Sequence, residues 1–264
     1  MTILSVAGEA SQRQALKSEI LNYSRWYHSF RLDADTRIVG WAEKAGAYPP
    51  TAYQEGSFKY YHLPDQWNQK SVLDIGGWDG AIAFEMERRG SQEVVLVNPY
   101  TLDDMDFPLD GPGSRSEVEK KYRDNHYPLV DIHSGGARLM IQWLHSKVRV
   151  VDSGIYELPA KLTQPFDLVL CLGLLYHLRD PLRGLTAAAS LTREMLILET
   201  MCFPGSDPLA RKDRSYCEFL GGQMAHNWWR FNFRAVEGLL GASGFKRFER
   251  KAEWADRCVY HAFK

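Results

Sequence analysis

Two short stretches of the chain combine residue types that can do chemistry. Residues 74–80 read Asp-Ile-Gly-Gly-Trp-Asp-Gly, and residues 174–181 read Leu-Leu-Tyr-His-Leu-Arg-Asp-Pro. In the first, Gly76 and Gly77 let a backbone approach a ligand closely, and Gly80 opens the following helix with no Cβ in the way. In the second, His177 has an ordinary pKa of about 6.5 and can take a proton from an acceptor hydroxyl; the alternative is that it holds its loop in place. Glu199 closes the run Leu-Ile-Leu-Glu-Thr. It either binds a cationic group, acts as a base or anchors a loop.

The register of the glycine turn discriminates between ligands. Dinucleotide enzymes use G-x-G-x-x-G, which seats a pyrophosphate on the helix N-terminus. Here the order is D-x-G-G-x-x-G. That order suits a cofactor without phosphates, whose amino-acid tail and ribose meet backbone groups; S-adenosylmethionine is such a cofactor.

These residues need a scaffold that places strand ends side by side. From Ser71 onward β-like and helical stretches alternate: SVLDIG, a helix over about 80–89, EVVLVN, a long polar loop, and a helix near 136–146. Then come KVRVVDS, FDLVLCLG, a helix near 180–192, MLILET, an irregular insert over 201–227, a helix over 232–242, and β stretches near 246–252 and 257–263. Near-continuous apolar strands separated by helices predict an α/β fold with a mostly parallel sheet covered on both faces. Ahead of it, residues 12–27 have helical apolar spacing and HSFRLDADTRIVGW reads as a short ribbon. Residues 46–70, rich in Pro, Tyr and Gly, read as an ordered loop, because their aromatics would be costly to expose. The division expected is 1–70, a helix and ribbon segment capping the site, and 71–264, the binding domain.

The stretches GWDGAIAFEMERRG, FDLVLCLGLLYHLRDPL, MLILET and NWWRFNFRAVEGLLGASGF resemble class I S-adenosylmethionine-dependent methyltransferases. More narrowly they resemble the group related to the tRNA wobble-uridine (carboxy)methyltransferases, and WYHSFRLDADTRIVGW extends the likeness to about residue 22. The resemblance implies a Rossmann-like, seven-stranded sheet with its last strand antiparallel and the cofactor over the carboxyl ends of the strands. It assigns Asp74 to the methionine end of the cofactor, with Gly76, Gly77, Trp78 and Gly80 around it. Asn98 stands where the fold usually places a ribose-binding carboxylate, and Asp103 or Asp104 could substitute for it. Asp152 and Ser153 stand where the family reads adenine, the carboxylate taking the exocyclic amine and the next N–H a ring nitrogen. Leu172 and Gly173 supply backbone contacts; Tyr176, His177 and Glu199 are the candidate catalytic groups. Related tRNA enzymes hold a carboxylated donor with cations and a tyrosine. Tyr176 matches that tyrosine, but no cation stands out in the sequence. Aromatic side chains from the flanking segments, Trp26, Tyr27, His28, Trp228 and Trp229, are expected to complete an acceptor pocket or to serve as core.

Composition limits the partners. The chain has 264 residues, 32 Lys and Arg against 33 Asp and Glu, and a net charge of -1, a poor basis for neutralising many phosphates. Cys171, Cys202, Cys217 and Cys258 show no CxxC spacing, so no metal site or disulfide framework is expected and a cytoplasmic setting fits. No membrane partner is expected either, since no apolar run long enough to cross a bilayer is present. The leading expectation is methyl transfer to an O, S or N nucleophile of a small molecule. Modification of a tRNA uridine is the alternative, ahead of a nicotinamide-dependent oxidoreductase and of a binding module without activity.

Overall fold

The computed structural model describes residues 3–46, 58–224 and 226–264. The expected loop over 46–70 falls partly on residues 47–57, outside the described residues.

The chain builds one central sheet from strands β3 (Ser71–Ile75), β4 (Glu93–Asn98), β5 (Arg149–Asp152), β6 (Phe166–Leu172), β7 (Thr192–Met201), β10 (Arg247–Trp254) and β11 (Arg257–Phe263). Their order across the sheet is β10-β11-β7-β6-β3-β4-β5. β3, β4, β5, β6 and β7 run parallel, while β11, the last in the chain, is antiparallel to both β7 and β10. This matches the expected architecture, with the antiparallel strand inserted inside the sheet. The order reverses beside β3, where chain connections leave in opposite directions and open a crevice at the strands' carboxyl ends.

Both faces of the sheet are covered because the parallel strands are apolar on both sides; Val72, Leu73, Leu168, Val169 and Leu170 have no exposed surface. One face packs against α6 (Leu158–Lys161), α7 (Pro181–Ser190) and α8 (Phe233–Ala242) through a core that includes Leu158, Leu185 and Leu240. The other carries α3 (Ala81–Arg88) and α5 (Gly135–Leu144), with Ile20 of α1 (Ile3–Asn22) in the same core. Asp180 caps α7 by accepting from Arg183 N–H, and Asn232 caps α8 by accepting from Ala235 N–H.

Three sequence expectations change. The first helix ends at Asn22, so Trp26 lies beyond it. The polar loop after β4 contains α4 (Arg115–Asp124), whose only apolar residues, Val118 and Tyr122, are too few to set a periodic signal. The insert over 201–227 is irregular only in its first part: residues 203–216 form no helix or strand, whereas β8 (Cys217–Met224) pairs antiparallel with β9 (Asn227–Phe231). The ribbon near the N-terminus is present as β1 (Phe30–Arg31) and β2 (Arg37–Ile38), followed by the single turn α2 (Trp41–Lys44). Among the described residues no helix is long and apolar enough to cross a membrane.

Candidate functional site

The parallel strands deliver Asp74, Asn98, Asp152, Leu172 and Glu199 to one edge of the sheet. Asp74 ends up under the glycine turn. A Cβ on Gly77 would lie 2.2 Å from Asp74 Oδ2, so only glycine fits there. The carboxyl is 1% exposed, and neither oxygen has a hydrogen-bond partner among the described residues. Burial pushes its pKa up to about 7; Asp79 adds to the rise and His28 opposes it. Gly76 and Gly80 have φ of 79° and 81°, the left-handed region where glycine is the default.

Trp78 shares that conformation, with φ 52°, which an indole-bearing residue rarely adopts. Asn98 holds it there. Its Oδ1 accepts from Trp78 N–H at 2.9 Å, and its Nδ2 donates to Trp78 O at 2.7 Å and to Ser134 Oγ at 3.1 Å. Asn98 is fully buried. Its expected role as a ribose acceptor is therefore corrected: the amide is committed to the turn. Of the loop acids, Asp104 caps the turn at Thr101 and Asp103 pairs with Arg115 at 2.8 Å. The Trp78 ring stacks on His133, centroids 3.9 Å apart, and its Nε1 donates to Arg25 O at 3.2 Å.

Asp152 stands at the end of β5, half-buried, with its carboxylate engaged by Arg138 at 2.9 and 3.0 Å. Ser153 N–H donates to Asn98 O at 2.9 Å, so the expectation that it faces an adenine ring nitrogen is also corrected.

Beyond β6, Gly173 has φ 70°; a Cβ there would lie 3.5 Å from Glu199 Oε2 and 3.7 Å from the Tyr176 hydroxyl. These three residues thus share one spot. Glu199 is 1% exposed, neither of its oxygens has a hydrogen-bond partner among the described residues, and burial raises its pKa to about 7. Arg257 Nη1 stands 3.7 Å from Glu199 Oε1, and the guanidinium lies 4.5 Å from the Tyr176 ring centroid. Burial lifts the Tyr176 hydroxyl to about 12, which keeps it protonated. Arg257 is a cation that the sequence did not single out. Only the pairing of β11 with β7, Arg257 opposite Met201, brings it to the site.

His177 follows in the same turn. Its Nδ1 donates to His226 O at 3.1 Å; a carbonyl can only accept, so the lone pair is left on Nε2. Burial lowers its pKa to about 4, so the ring is neutral at pH 7. His133 is likewise neutral, lowered to about 3 by burial and then by Arg25 and His177.

The flanking aromatics divide. Trp26 is core: it is 6% exposed, donates to Ile20 O and packs against Tyr23 and Phe30. Tyr27 lies against Trp78 at 5.5 Å. Asp79, completely buried, accepts from Tyr27 N–H at 2.8 Å, from His28 N–H at 2.7 Å and from His28 Nδ1 at 2.5 Å. This acid, also missed in the sequence, fastens the ribbon segment to the glycine turn. Trp228 and Trp229 donate to the carbonyls of Asp106 and Arg179, at 3.0 and 3.2 Å; they tie β9 to the loops at the rim.

Known structures agree with this architecture. The N-terminal domain of EvdMO1 with SAH bound superposes with a TM-score of 0.60 over 97% of this chain and 96% of that one, at 17% identity. Magnesium protoporphyrin IX methyltransferase (ChlM) from Synechocystis PCC 6803 with bound SAM gives 0.51 over 89% and 88%, at 14% identity. The fold is that of class I methyltransferases. No model of a known protein family matches the chain. Among curated proteins, the methyltransferase-fold chain is 27% identical over 197 residues to a tRNA U34 carboxymethyltransferase from Shewanella sediminis, covering 73% of this chain and 46% of the relative. It is 25% identical over 183 residues to one from Helicobacter pylori (strain G27), covering 68% and 58%. The chain thus spans about half the length of the curated relatives it matches.

Proposed function

We propose that the chain is an S-adenosylmethionine-dependent methyltransferase acting on a small-molecule acceptor. The observation that carries this reading is the buried Asp74 carboxyl, without a hydrogen-bond partner among the described residues, beneath a glycine turn at the sheet's switch point. A carboxyl so placed suits a ligand that brings an ammonium group. Asp74 and the backbone of Gly76, Gly77, Trp78 and Gly80 would hold the amino-acid end, Leu172 and Gly173 the middle, and Asp152 the base. Bound there, the cofactor supplies an activated methyl group with a neutral thioether as leaving group.

The chain's own task is then alignment and exclusion of water. His177 Nε2 is free to accept a proton from an acceptor hydroxyl. Glu199, poised near neutrality beside Arg257, either accepts that proton or orients the acceptor. In this reading the first 70 residues cap the site through Asp79, and the enzyme works in the cytoplasm. Calorimetric titration with S-adenosylhomocysteine and with NADH tests the cofactor; binding of NADH alone would sink the proposal.

A second reading is tRNA uridine modification, favoured by the names of the relatives and by Arg257 beside Tyr176, a cation placed where a carboxylated donor would need one. Transfer of labelled methyl groups into bulk tRNA separates the two. Efficient incorporation would replace the small molecule with RNA.

A further inference from the structure

Arg25 lies just past the end of α1, tied to the glycine turn by its own carbonyl, which accepts from Trp78 Nε1. Its Nη2 donates to the Tyr122 hydroxyl at 2.7 Å, and the guanidinium sits 4.7 and 5.4 Å from the ring centroids of Tyr122 and Tyr127. Nη1 is buried and has no hydrogen-bond partner among the described residues. Of the acids, Asp79 is committed to Tyr27 and His28, and Asp131 gives Oδ2 to Arg138 at 3.0 Å while its Oδ1 has no hydrogen-bond partner among the described residues. Arg25 therefore makes no ion pair among the described residues. Its charge is felt by His133, which lies face to face with Trp78 and is acted on by His177 as well. A guanidinium left partly desolvated without a counter-charge is costly, and it is kept here between flat rings beside the proposed transfer site.

Resting on the methyltransferase reading, we propose that Arg25 is the recognition group for an anionic acceptor: a carboxylate carried on a flat, apolar body, its charge on Nη1 and its body against Trp78, His133 and Tyr127. One free donor among rings fits a compact monoanion. A nucleic acid would need several free cations, whereas the cations of neighbouring α4 are largely self-neutralised: Arg115 with Asp103 and Glu119, Lys120 with Asp124, Arg123 with Glu119.

The test uses the full chain saturated with S-adenosylhomocysteine and three probes of matched shape, benzoate, benzamide and phenyl phosphate, followed by ligand-observed NMR titration. Benzoate is expected to bind at least about tenfold tighter than benzamide, the scale of one charge-assisted hydrogen bond. Arg25→Gln should erase that preference and Arg25→Lys should keep part of it, with S-adenosylhomocysteine affinity preserved in both. The comparison on the unaltered protein does not depend on any variant folding. Equal binding of benzoate and benzamide, or a preference that survives Arg25→Gln, overturns the proposal; tighter binding of phenyl phosphate overturns the carboxylate assignment. If S-adenosylhomocysteine fails to bind while benzoate still depends on Arg25, the methyltransferase reading falls and the anion site stands.

Discussion

Replacing Asp74 by asparagine separates charge from shape at the floor of the crevice. The folded carboxyl has its pKa raised from 3.8 to about 7, by burial first and then by Asp79. With an unfolded value of about 3.9, the folded protein keeps a proton that the unfolded chain has released. The stability this group contributes is therefore fully present below about pH 4 and is lost as the pH climbs to about 7. The full loss corresponds to about 4 kcal/mol. An asparagine escapes it but places an unpaired amide in the same spot, at about 1–3 kcal/mol. The net gain at pH 8.5 is then about 1–3 kcal/mol, or roughly 2–4 °C in melting temperature per kcal/mol for a chain of this size. Thermal denaturation of both proteins between pH 4.5 and 8.5 reads the difference directly, with the gap opening toward high pH. Glu199, also raised to about 7, contributes a slope of the same sign to both proteins and cancels. In the presence of S-adenosylhomocysteine the ranking should invert, because the variant lacks the carboxylate that meets the ligand's ammonium group. A gap that does not change with pH, or a variant that binds the ligand as well as the parent, would refute the reasoning.

Gly77→Ala drives a methyl to 2.2 Å from Asp74 Oδ2 and 2.7 Å from Leu96 Cδ1, and should cost about 1–3 kcal/mol in urea denaturation together with a loss of ligand affinity. Asn98→Ala strands the N–H and C=O of Trp78, about 1–3 kcal/mol for each group. A Trp78→Gly background keeps both backbone groups, so that part of the cost should persist, and a double-mutant cycle measures any coupling to the indole. Asp79→Ala frees the Tyr27 and His28 amides; hydrogen exchange at those two positions should accelerate well beyond that of β3.

The sheet was legible because a parallel strand buried on both faces writes a continuous apolar run, as SVLDI and FDLVLCL do. Strand ends then followed, which is why Asp74, Gly173 and Glu199 fall at one edge. Roles depending on long-range partners were not legible. Asn98 looks like a ligand group until its amide is found clamping Trp78, a residue closer to it in space than in sequence. Arg257 reaches Glu199 only through antiparallel pairing, and Arg25 becomes notable only once its missing counter-charge is known. Asp79 was the nearest miss: an acid inside a tight turn leading into a helix suggests a cap, yet here it holds another segment. The α4 helix is hard to read because only Val118 and Tyr122 on it are apolar, packing against the Leu102, Phe107 and Ile132 cluster, while the rest of its length is charged behind an N-cap, Ser114.

The ribbon of β8 and β9 is pinned at the rim by indole groups on one side and main-chain carbonyls, those of Asp106 and Arg179, on the other. A carbonyl is supplied by any amino acid, whereas an indole N–H is supplied by tryptophan alone. Mutational tolerance across this seam is accordingly lopsided: the receiving loops are free to drift in sequence while the donor side is not. The strand β9 thus carries its own fasteners to the rim.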